Sequence, residues 1–230
     1  MFSRLKLAAV AAEFTGVAAL TLVLLAVGKS GVGYSYFLST GVALAFLGSA
    51  LFLARVSGAQ FNPAVTLGLW SSRKVSTLRG VAYIAAQFAG GAFAWWLYTY
   101  LTGQELPKTE MVFAWRILVA EMIAGFVIAF GVASAIYQEY EGLQFAATVA
   151  LAIFIGTLIA ALGSNGIGNP AVALGVRNWS WAYVAGPLVG GIVGTNLYLY
   201  FFASSKEIAM AVAKAPAKRA VKKPAPRRKK

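Results

Sequence analysis

Long apolar runs, separated by short junctions that carry glycine, proline or charged residues, extend through the first 203 residues of the 230-residue chain. A helix needs roughly 20 consecutive apolar residues to cross the hydrocarbon core of a bilayer, and a soluble core cannot bury several such runs. The pattern therefore predicts an all-α integral membrane protein with six transmembrane helices. The predicted helices cover residues 7–28, 35–55, 80–101, 115–138, 144–163 and 181–203.

Two further apolar segments, residues 62–72 and 169–178, are too short to cross a bilayer. Each opens with Asn-Pro. Asparagine is a favoured N-cap, and proline suits the first helical position because the N–H that it lacks would be unpaired there anyway. A surface loop is the ordinary alternative for each segment. We predict instead two re-entrant half-helices that begin inside the membrane.

The sequence contains an internal repeat. The motif around Glu13 (AEFTG) returns around Glu121 (AEMIAG), and an Asn-Pro-Ala triplet follows each glutamate at nearly the same distance. Adjacent glycines in the third predicted helix, Gly90-Gly91, have a counterpart in the sixth, Gly190-Gly191. Three spans in each half invert the second copy relative to the first, and such repeats hold their site near the midplane. We expect a membrane domain over residues 1–205, with repeat halves at about 5–103 and 112–203.

Composition narrows the possible chemistry. The chain is 60% hydrophobic and 12% charged, and it contains neither cysteine nor histidine. No disulfide, zinc–thiolate site or thiol nucleophile is possible, and the commonest metal ligand and general base is missing. The sequence therefore predicts no enzyme activity, no metal site and no cofactor.

The distribution of basic residues predicts the orientation, because positive charges concentrate on the cytoplasmic side. The predicted helices divide the basic residues into two sets, one on each side of the membrane. The larger set lies on the same side as both termini, so we place the termini in the cytoplasm. The plasma (inner) membrane is the expected location. Residues 206–230 are rich in Lys, Arg, Ala and Pro, and we expect a disordered tail whose partner is the anionic leaflet. Nucleic acid is the weaker alternative, because the tail is tethered beneath a membrane domain. The two sets are Arg4, Lys6, Arg73, Lys74 and Arg79 on the cytoplasmic side, and Lys29, Lys108, Arg116 and Arg177 on the other.

The paired triplets carry the candidate chemistry. A helix start inside a membrane is costly unless its free N–H groups face water or protein. Two such starts can satisfy each other if they meet at the midplane beside a water-filled pore, where their dipoles raise the energy of a cation or proton. The asparagine amides can donate hydrogen bonds to a passing water, and the alanines permit close approach. The triplets are Asn62-Pro63-Ala64 and Asn169-Pro170-Ala171.

The segment around the first triplet, residues 57–68 (SGAQFNPAVTLG), resembles a signature of the major intrinsic protein (aquaporin) family, which usually has His in place of Gln60. The resemblance extends from about residue 5 to 203. It implies six tilted helices plus two half-helices, one pore per subunit and a homotetramer. Intramembrane carboxylates are costly unless paired. For Glu13 and Glu121 a proton relay is one interpretation, but we prefer hydrogen bonding to the re-entrant loops, which the resemblance also implies.

The resemblance further implies a selectivity filter of four residues outside the triplets. By spacing these are Val42, Thr157, Gly166 and Val172, with Phe46 as an alternative for the first. Most members of the family have an arginine directly after the second triplet, where this chain has Val172. We therefore expect a filter that is wider, less polar and uncharged. A nearby arginine, Arg177, could partly replace the missing charge, although an exposed loop position is the preferred interpretation.

Three functions remain open at this point. The first is a passive channel for water with an atypical filter that lacks the usual arginine. The alternative is a broader channel for small neutral solutes such as glycerol, urea or ammonia, which the small uncharged filter favours. The remote alternative is a closed-pore structural membrane protein. A coupled transporter would need an ionisable relay, for which only Glu13 and Glu121 are candidates.

Overall fold

A computed structural model describes residues 4–31, 35–107 and 113–203 of the chain. These residues form eight α-helices and no strand, which confirms the predicted all-α class. Six helices are long and two are short. The helices are α1 (Arg4–Lys29), α2 (Ser35–Ser57), α3 (Pro63–Ser71), α4 (Thr77–Thr102), α5 (Trp115–Tyr137), α6 (Gly142–Ala160), α7 (Pro170–Gly175) and α8 (Trp181–Phe202).

Five of the six long helices in the described residues are both long and apolar enough to cross a membrane: α1, α2, α5, α6 and α8. The sixth, α4, has 26 residues and therefore the length, but its aromatic, glycine and glutamine residues lower its mean hydropathy. The predicted basic tail, residues 206–230, lies outside the described residues.

The second half-helix, α7, is shorter than predicted. The sequence pattern extends it to residue 178, whereas the helix ends at Gly175. The chain turns there because Arg177 adopts a left-handed backbone conformation with a φ of 60°. The N–H of Arg177 donates to the carbonyl of Leu174, which closes the turn.

The two halves of the chain exchange their half-helices. In the first half α1 packs against α2 and α4, and in the second half α5 packs against α6 and α8. However, α3 packs mainly on α8, and α7 packs mainly on α4. Each half-helix therefore completes the helix packing of the opposite half, and the two triplets meet in the middle of the molecule.

Glycines allow these crossings to be close. A Cβ atom on Gly91 of α4 would overlap the carbonyl oxygen of Ala171, and one on Gly191 of α8 would overlap that of Ala64. In each half, a glycine of the last long helix therefore contacts the alanine of the opposite triplet. Small residues at such contacts let helix backbones approach closely, as is common in membrane proteins.

The distribution of polarity is that of a protein dissolved in lipid. Glu13, Gln87 and Glu121 are fully buried, whereas Phe52 and Leu162 are more than 80% exposed (81% and 88%). A soluble protein rarely exposes a large continuous apolar surface. The outer surface therefore fits an integral multi-pass membrane protein.

Candidate functional site

The starts of α3 and α7 face each other, and their asparagines cap both helices. The Oδ1 atom of Asn62 accepts from the N–H of Ala64 at 2.8 Å. The Oδ1 atom of Asn169 accepts from Ala171 at 3.1 Å and from Val172 at 3.3 Å. Both helix starts are thereby satisfied locally, as expected for Asn at an N-cap. The two prolines, Pro63 and Pro170, are buried at the first helical positions.

The same asparagines join the two halves of the chain. The Nδ2 group of Asn62 donates to the carbonyl of Gly168 at 2.9 Å. The Nδ2 group of Asn169 donates to the carbonyl of Phe61 at 2.8 Å. Each asparagine side chain thus donates to the backbone carbonyl of the residue just before the asparagine of the other half. One N–H of each amide is used in this way, and the second remains for another acceptor.

Glu13 lies under the loop before the first triplet, residues 57–61, here called the first loop. Its carboxylate accepts from the backbone N–H of Gln60 at 3.0 Å and from that of Phe61 at 2.7 Å. Gln87 of α4 donates to the same carboxylate at 2.7 Å and to the hydroxyl of Thr66 at 2.9 Å. The carboxylate therefore ties the first loop to α1 and α4.

Glu121 holds the loop before the second triplet, residues 164–168, here called the second loop. Its carboxylate accepts from the N–H of Ile167 at 3.0 Å and from that of Gly168 at 2.6 Å. The third donor is the hydroxyl of Ser164 at 2.7 Å. Each carboxylate binds the two backbone N–H groups that precede its asparagine, and these neutral donors favour loop support over a proton relay.

A narrow cavity of about 20 Å³ lies beside the paired asparagines. A single water needs roughly 10–15 Å³ by such a measure, so the cavity has room for about one. Its polar lining groups are Gln60, Asn62 and Asn169, and its other walls are apolar. The apolar lining residues are Leu20, Val42, Phe46, Phe61, Val65, Ile128, Val132, Val149, Ile153 and Val172.

The structure divides the four predicted filter residues into two pairs. Val42 and Val172 both line the narrow cavity, and so does Phe46, the alternative for Val42. Gly166 lies against Thr157, because a Cβ atom on this glycine would overlap the Thr157 carbonyl oxygen. The Thr157 hydroxyl donates to the carbonyl of Ile153 at 2.8 Å, and the side chain is buried. This second pair is therefore one helical turn from the cavity wall.

A larger cavity of about 680 Å³, the vestibule, lies next to the narrow one. Charged side chains of both signs surround it, including Arg55 in the last turn of α2. Among the described residues, only Gln60 lines both the vestibule and the narrow cavity. The charged lining residues are Arg55, Lys74, Arg79, Glu139 and Glu141.

The interpretation of Arg177 as an exposed loop residue is wrong. Its side chain is 22% exposed, and its guanidinium donates to the carbonyl of Leu106 at 2.9 Å. The guanidinium carbon also lies 4.7 Å from the ring centroid of Trp95, a cation–π distance. These contacts hold the charge against the junction after α4.

Sequence reasoning did not find several polar residues that support the loops. Besides Gln87 and Thr66, two tyrosines at matching positions of α4 and α8 brace them. The hydroxyl of Tyr83 donates to the carbonyl of Ser57 at 3.0 Å, and that of Tyr183 accepts from the N–H of Asn165 at 3.0 Å. The available sequence signal was Gln87, a lone glutamine in an apolar span, because a polar residue inside a membrane usually has a hydrogen-bonding partner.

Comparisons with known proteins agree with this geometry. The family model described as major intrinsic protein matches residues 2–198. Aquaporin TIP2-1 of Arabidopsis thaliana is 32% identical over 232 residues, which covers 90% of this chain and 92% of the relative. Aquaporin TIP1-1 of the same plant is 35% identical over 162 residues, with 65% and 64% covered.

Among solved structures, the aquaglyceroporin from Plasmodium falciparum has the same fold, with a TM-score of 0.67 at 20% identity. The match covers 84% of this chain and 95% of that one. The family match over nearly the whole chain, the relative matched over 92% of its length and the paired half-helices lead to one conclusion. This chain belongs to the major intrinsic protein family.

Proposed function

We propose that this protein is a passive transmembrane channel for water, with an outer filter that lacks a charged residue. The observation that carries the proposal is the meeting of two asparagine-capped helix starts beside a cavity with room for about one water. Relatives that are named aquaporins support it. The proposal is a channel, neither an enzyme nor a cofactor-dependent protein.

The paired asparagines are the proposed contact for single-file water. Asn62 and Asn169 each keep one amide N–H that the described hydrogen bonds do not use, and both residues line the narrow cavity. A water oxygen can accept from these groups. The positive ends of the two half-helices raise the energy of a cation or proton at the same place.

A broader channel for small neutral solutes is the second candidate. The observation in its favour is that Val42 and Val172, two of the proposed filter residues, present only apolar groups to the narrow cavity. A filter without a fixed cation lacks one electrostatic barrier and one set of donors. The relative from Plasmodium falciparum, titled an aquaglyceroporin, shares only the fold, so it leaves the solute open.

The test is stopped-flow light scattering of proteoliposomes under osmotic shock with sucrose, glycerol and urea in turn. We expect vesicles with the protein to shrink in sucrose faster than protein-free vesicles. If they shrink at the same rate, the channel proposal fails and the closed-pore structural alternative gains support. Water flow with exclusion of glycerol and urea would eliminate the broader channel.

The filter assignment makes a separate prediction. Val172→Arg should lower glycerol and urea flux by roughly tenfold, which corresponds to about 1.4 kcal/mol of added barrier. Val172→Met is the matched control, because it lengthens the side chain without adding charge. Equal fluxes in wild type and Val172→Arg would show that Val172 lies away from the constriction.

The assembly and the location complete the proposal. We infer a homotetramer with one pore per subunit, in the plasma (inner) membrane, with both termini cytoplasmic and the tail on the anionic leaflet. In this orientation the vestibule with Arg55, Lys74 and Arg79 opens to the cytoplasm, consistent with the concentration of positive charge there. Cross-linking in native membranes tests the tetramer, and protease access to a C-terminal tag tests the orientation.

A further inference from the structure

Gln60 occupies the junction between the vestibule and the narrow cavity. It lines both, so a solute that moves between them passes this side chain. Its backbone is held in place, because its N–H donates to the carboxylate of Glu13 at 3.0 Å. The neighbours Ala59 and Phe61 are buried, which fixes the direction of the loop. The backbone of Gln60 is therefore held at a fixed point beside the proposed path.

The side chain of Gln60 is only 6% exposed, yet its Oε1 atom has no hydrogen-bond partner among the described residues. Leaving a buried polar atom unpaired is unfavourable, and native proteins have few such atoms. An unpaired acceptor on the path of a proposed channel is explained if the permeating molecule supplies the donor.

The other polar side chains of the narrow cavity do not offer this acceptor. The Oδ1 atoms of Asn62 and Asn169 already accept from the backbone of their own half-helices. Their Nδ2 groups donate and cannot accept. The remaining walls are apolar. Gln60 Oε1 is thus a side-chain acceptor of this cavity that no donor of residues 4–31, 35–107 or 113–203 occupies.

We propose that Gln60 is an inner selectivity residue of this channel. Its amide oxygen accepts a hydrogen bond from the permeating molecule at the vestibule end of the narrow cavity. The residue thereby favours small neutral molecules that carry N–H or O–H donors. Water, ammonia and urea belong to this class. The inference rests on the proposed channel function and assigns selectivity to a residue outside the four predicted filter residues.

The experiment compares three proteins in proteoliposomes: wild type, Gln60→Leu and Gln144→Leu. The first variant keeps a similar volume at the junction but removes the acceptor. The second removes an exposed glutamine at the start of α6 and serves as the matched control. Water and urea fluxes are measured at several temperatures and normalised to the amount of reconstituted protein.

We expect Gln60→Leu to lower both fluxes about threefold to tenfold, the effect of one lost hydrogen bond, and to steepen their temperature dependence. Gln144→Leu should match wild type. Gln60→His, which restores a hydrogen-bonding group, should recover most of the flux, and it keeps the test valid if Gln60→Leu reconstitutes poorly.

Two outcomes overturn the inference while the channel proposal stands. In the first, wild type conducts and Gln60→Leu conducts equally. In the second, Gln60→Leu conducts faster, which would make Gln60 a steric plug instead of an acceptor. Absence of flux in wild type would instead refute the channel proposal and this inference together.

Discussion

The first and second loops share two left-handed backbone positions, which different residues occupy. In the first loop Ala59 and Phe61 have φ angles of 45° and 46°, in the left-handed region that favours glycine. At the matching positions of the second loop, Gly166 and Gly168 have φ angles of 65° and 60°. In both loops these positions lie three residues and one residue before the asparagine. Both loops have a left-handed backbone at these two positions, but only the second loop has glycine there.

The long helices beneath the loops explain the difference. Gly16 of α1 leaves room for the ring of Phe61, because a Cβ atom on this glycine would overlap that ring. In the second half the glycine lies in the loop instead of the helix. A Cβ atom on Gly168 would lie 2.8 Å from the Cβ atom of Ala124, which takes the place of Gly16 in α5. In the first half a large loop residue, Phe61, thus faces glycine in the helix, whereas in the second half glycine in the loop faces alanine in the helix.

The third donor to the buried carboxylate differs between the loops: it is Gln87 of α4 for Glu13, and the hydroxyl of Ser164 within the loop itself for Glu121. Left-handed conformation costs a residue with a side chain about 1–2 kcal/mol, and the first loop contains two such residues. Gln87 joins Glu13 to Thr66 there. The corresponding position of α8, three residues before its glycine pair, is Pro187, which has no side-chain donor. The comparison teaches that a buried carboxylate holds the left-handed positions in both halves, with glycine at these positions in one half and residues with side chains in the other.

The largest effect is expected from removing the buried carboxylate that holds each loop. Glu13→Ala or Glu121→Ala leaves two buried backbone N–H groups without an acceptor, at about 1–3 kcal/mol each, and removes one further hydrogen bond from a side chain. Both variants should therefore lose most of the folded protein. The measurement is the yield of monodisperse protein in size-exclusion chromatography, together with the thermal midpoint in detergent.

Glu141→Ala is the matched control for these variants, because this exposed glutamate makes no side-chain hydrogen bond at the start of α6. We expect it to behave like wild type. Normal yield and midpoint for Glu13→Ala would contradict the view that the carboxylates hold the loops.

An intermediate effect is expected from giving the second loop the side chain that the first one tolerates. Gly168→Ala combines left-handed strain with contact to Ala124, and it should destabilise the protein by about 2–4 kcal/mol. Adding Ala124→Gly recreates the arrangement of the first half and should recover part of this loss. The thermal midpoints of wild type, the two single variants and the double variant form a double-mutant cycle, which measures the coupling between the two positions. Purely additive midpoints would mean that the two positions do not compensate each other.

The smallest effect is expected from giving the first loop the residue of the second. Ala59→Gly removes left-handed strain but adds freedom to the unfolded chain, so the net gain should be about 1 kcal/mol or less. Ala147→Gly, in the body of α6, is the control and should destabilise by about 1 kcal/mol. A clear drop in the thermal midpoint of Ala59→Gly would show that the first loop is not strained at this residue.

The sequence predicts the framework of this site well, for physical reasons. Asn-Pro identifies both half-helix starts because the capping amide and the missing N–H act locally. The six long helices follow from apolar length, although α4 is the least apolar because of residues such as Gln87. The bonds of that glutamine depend on which helices cross, and no pattern along one helix contains this information. The end of α7 was missed for a similar reason, since the left-handed turn at Arg177 accompanies a contact with Leu106.

The exchange of half-helices has a consequence for the order in which the molecule can be completed. The first half-helix packs mainly on α8, and Asn62 donates to Gly168, so its partners are the last parts of the described chain to be synthesised. Translation proceeds from the N-terminus. Between the synthesis of α3 and the insertion of α8, the first half-helix therefore lacks its contacts with α8 and its hydrogen bond to Gly168. A nascent chain stopped after α4 contains every residue of the first half but not yet a finished half.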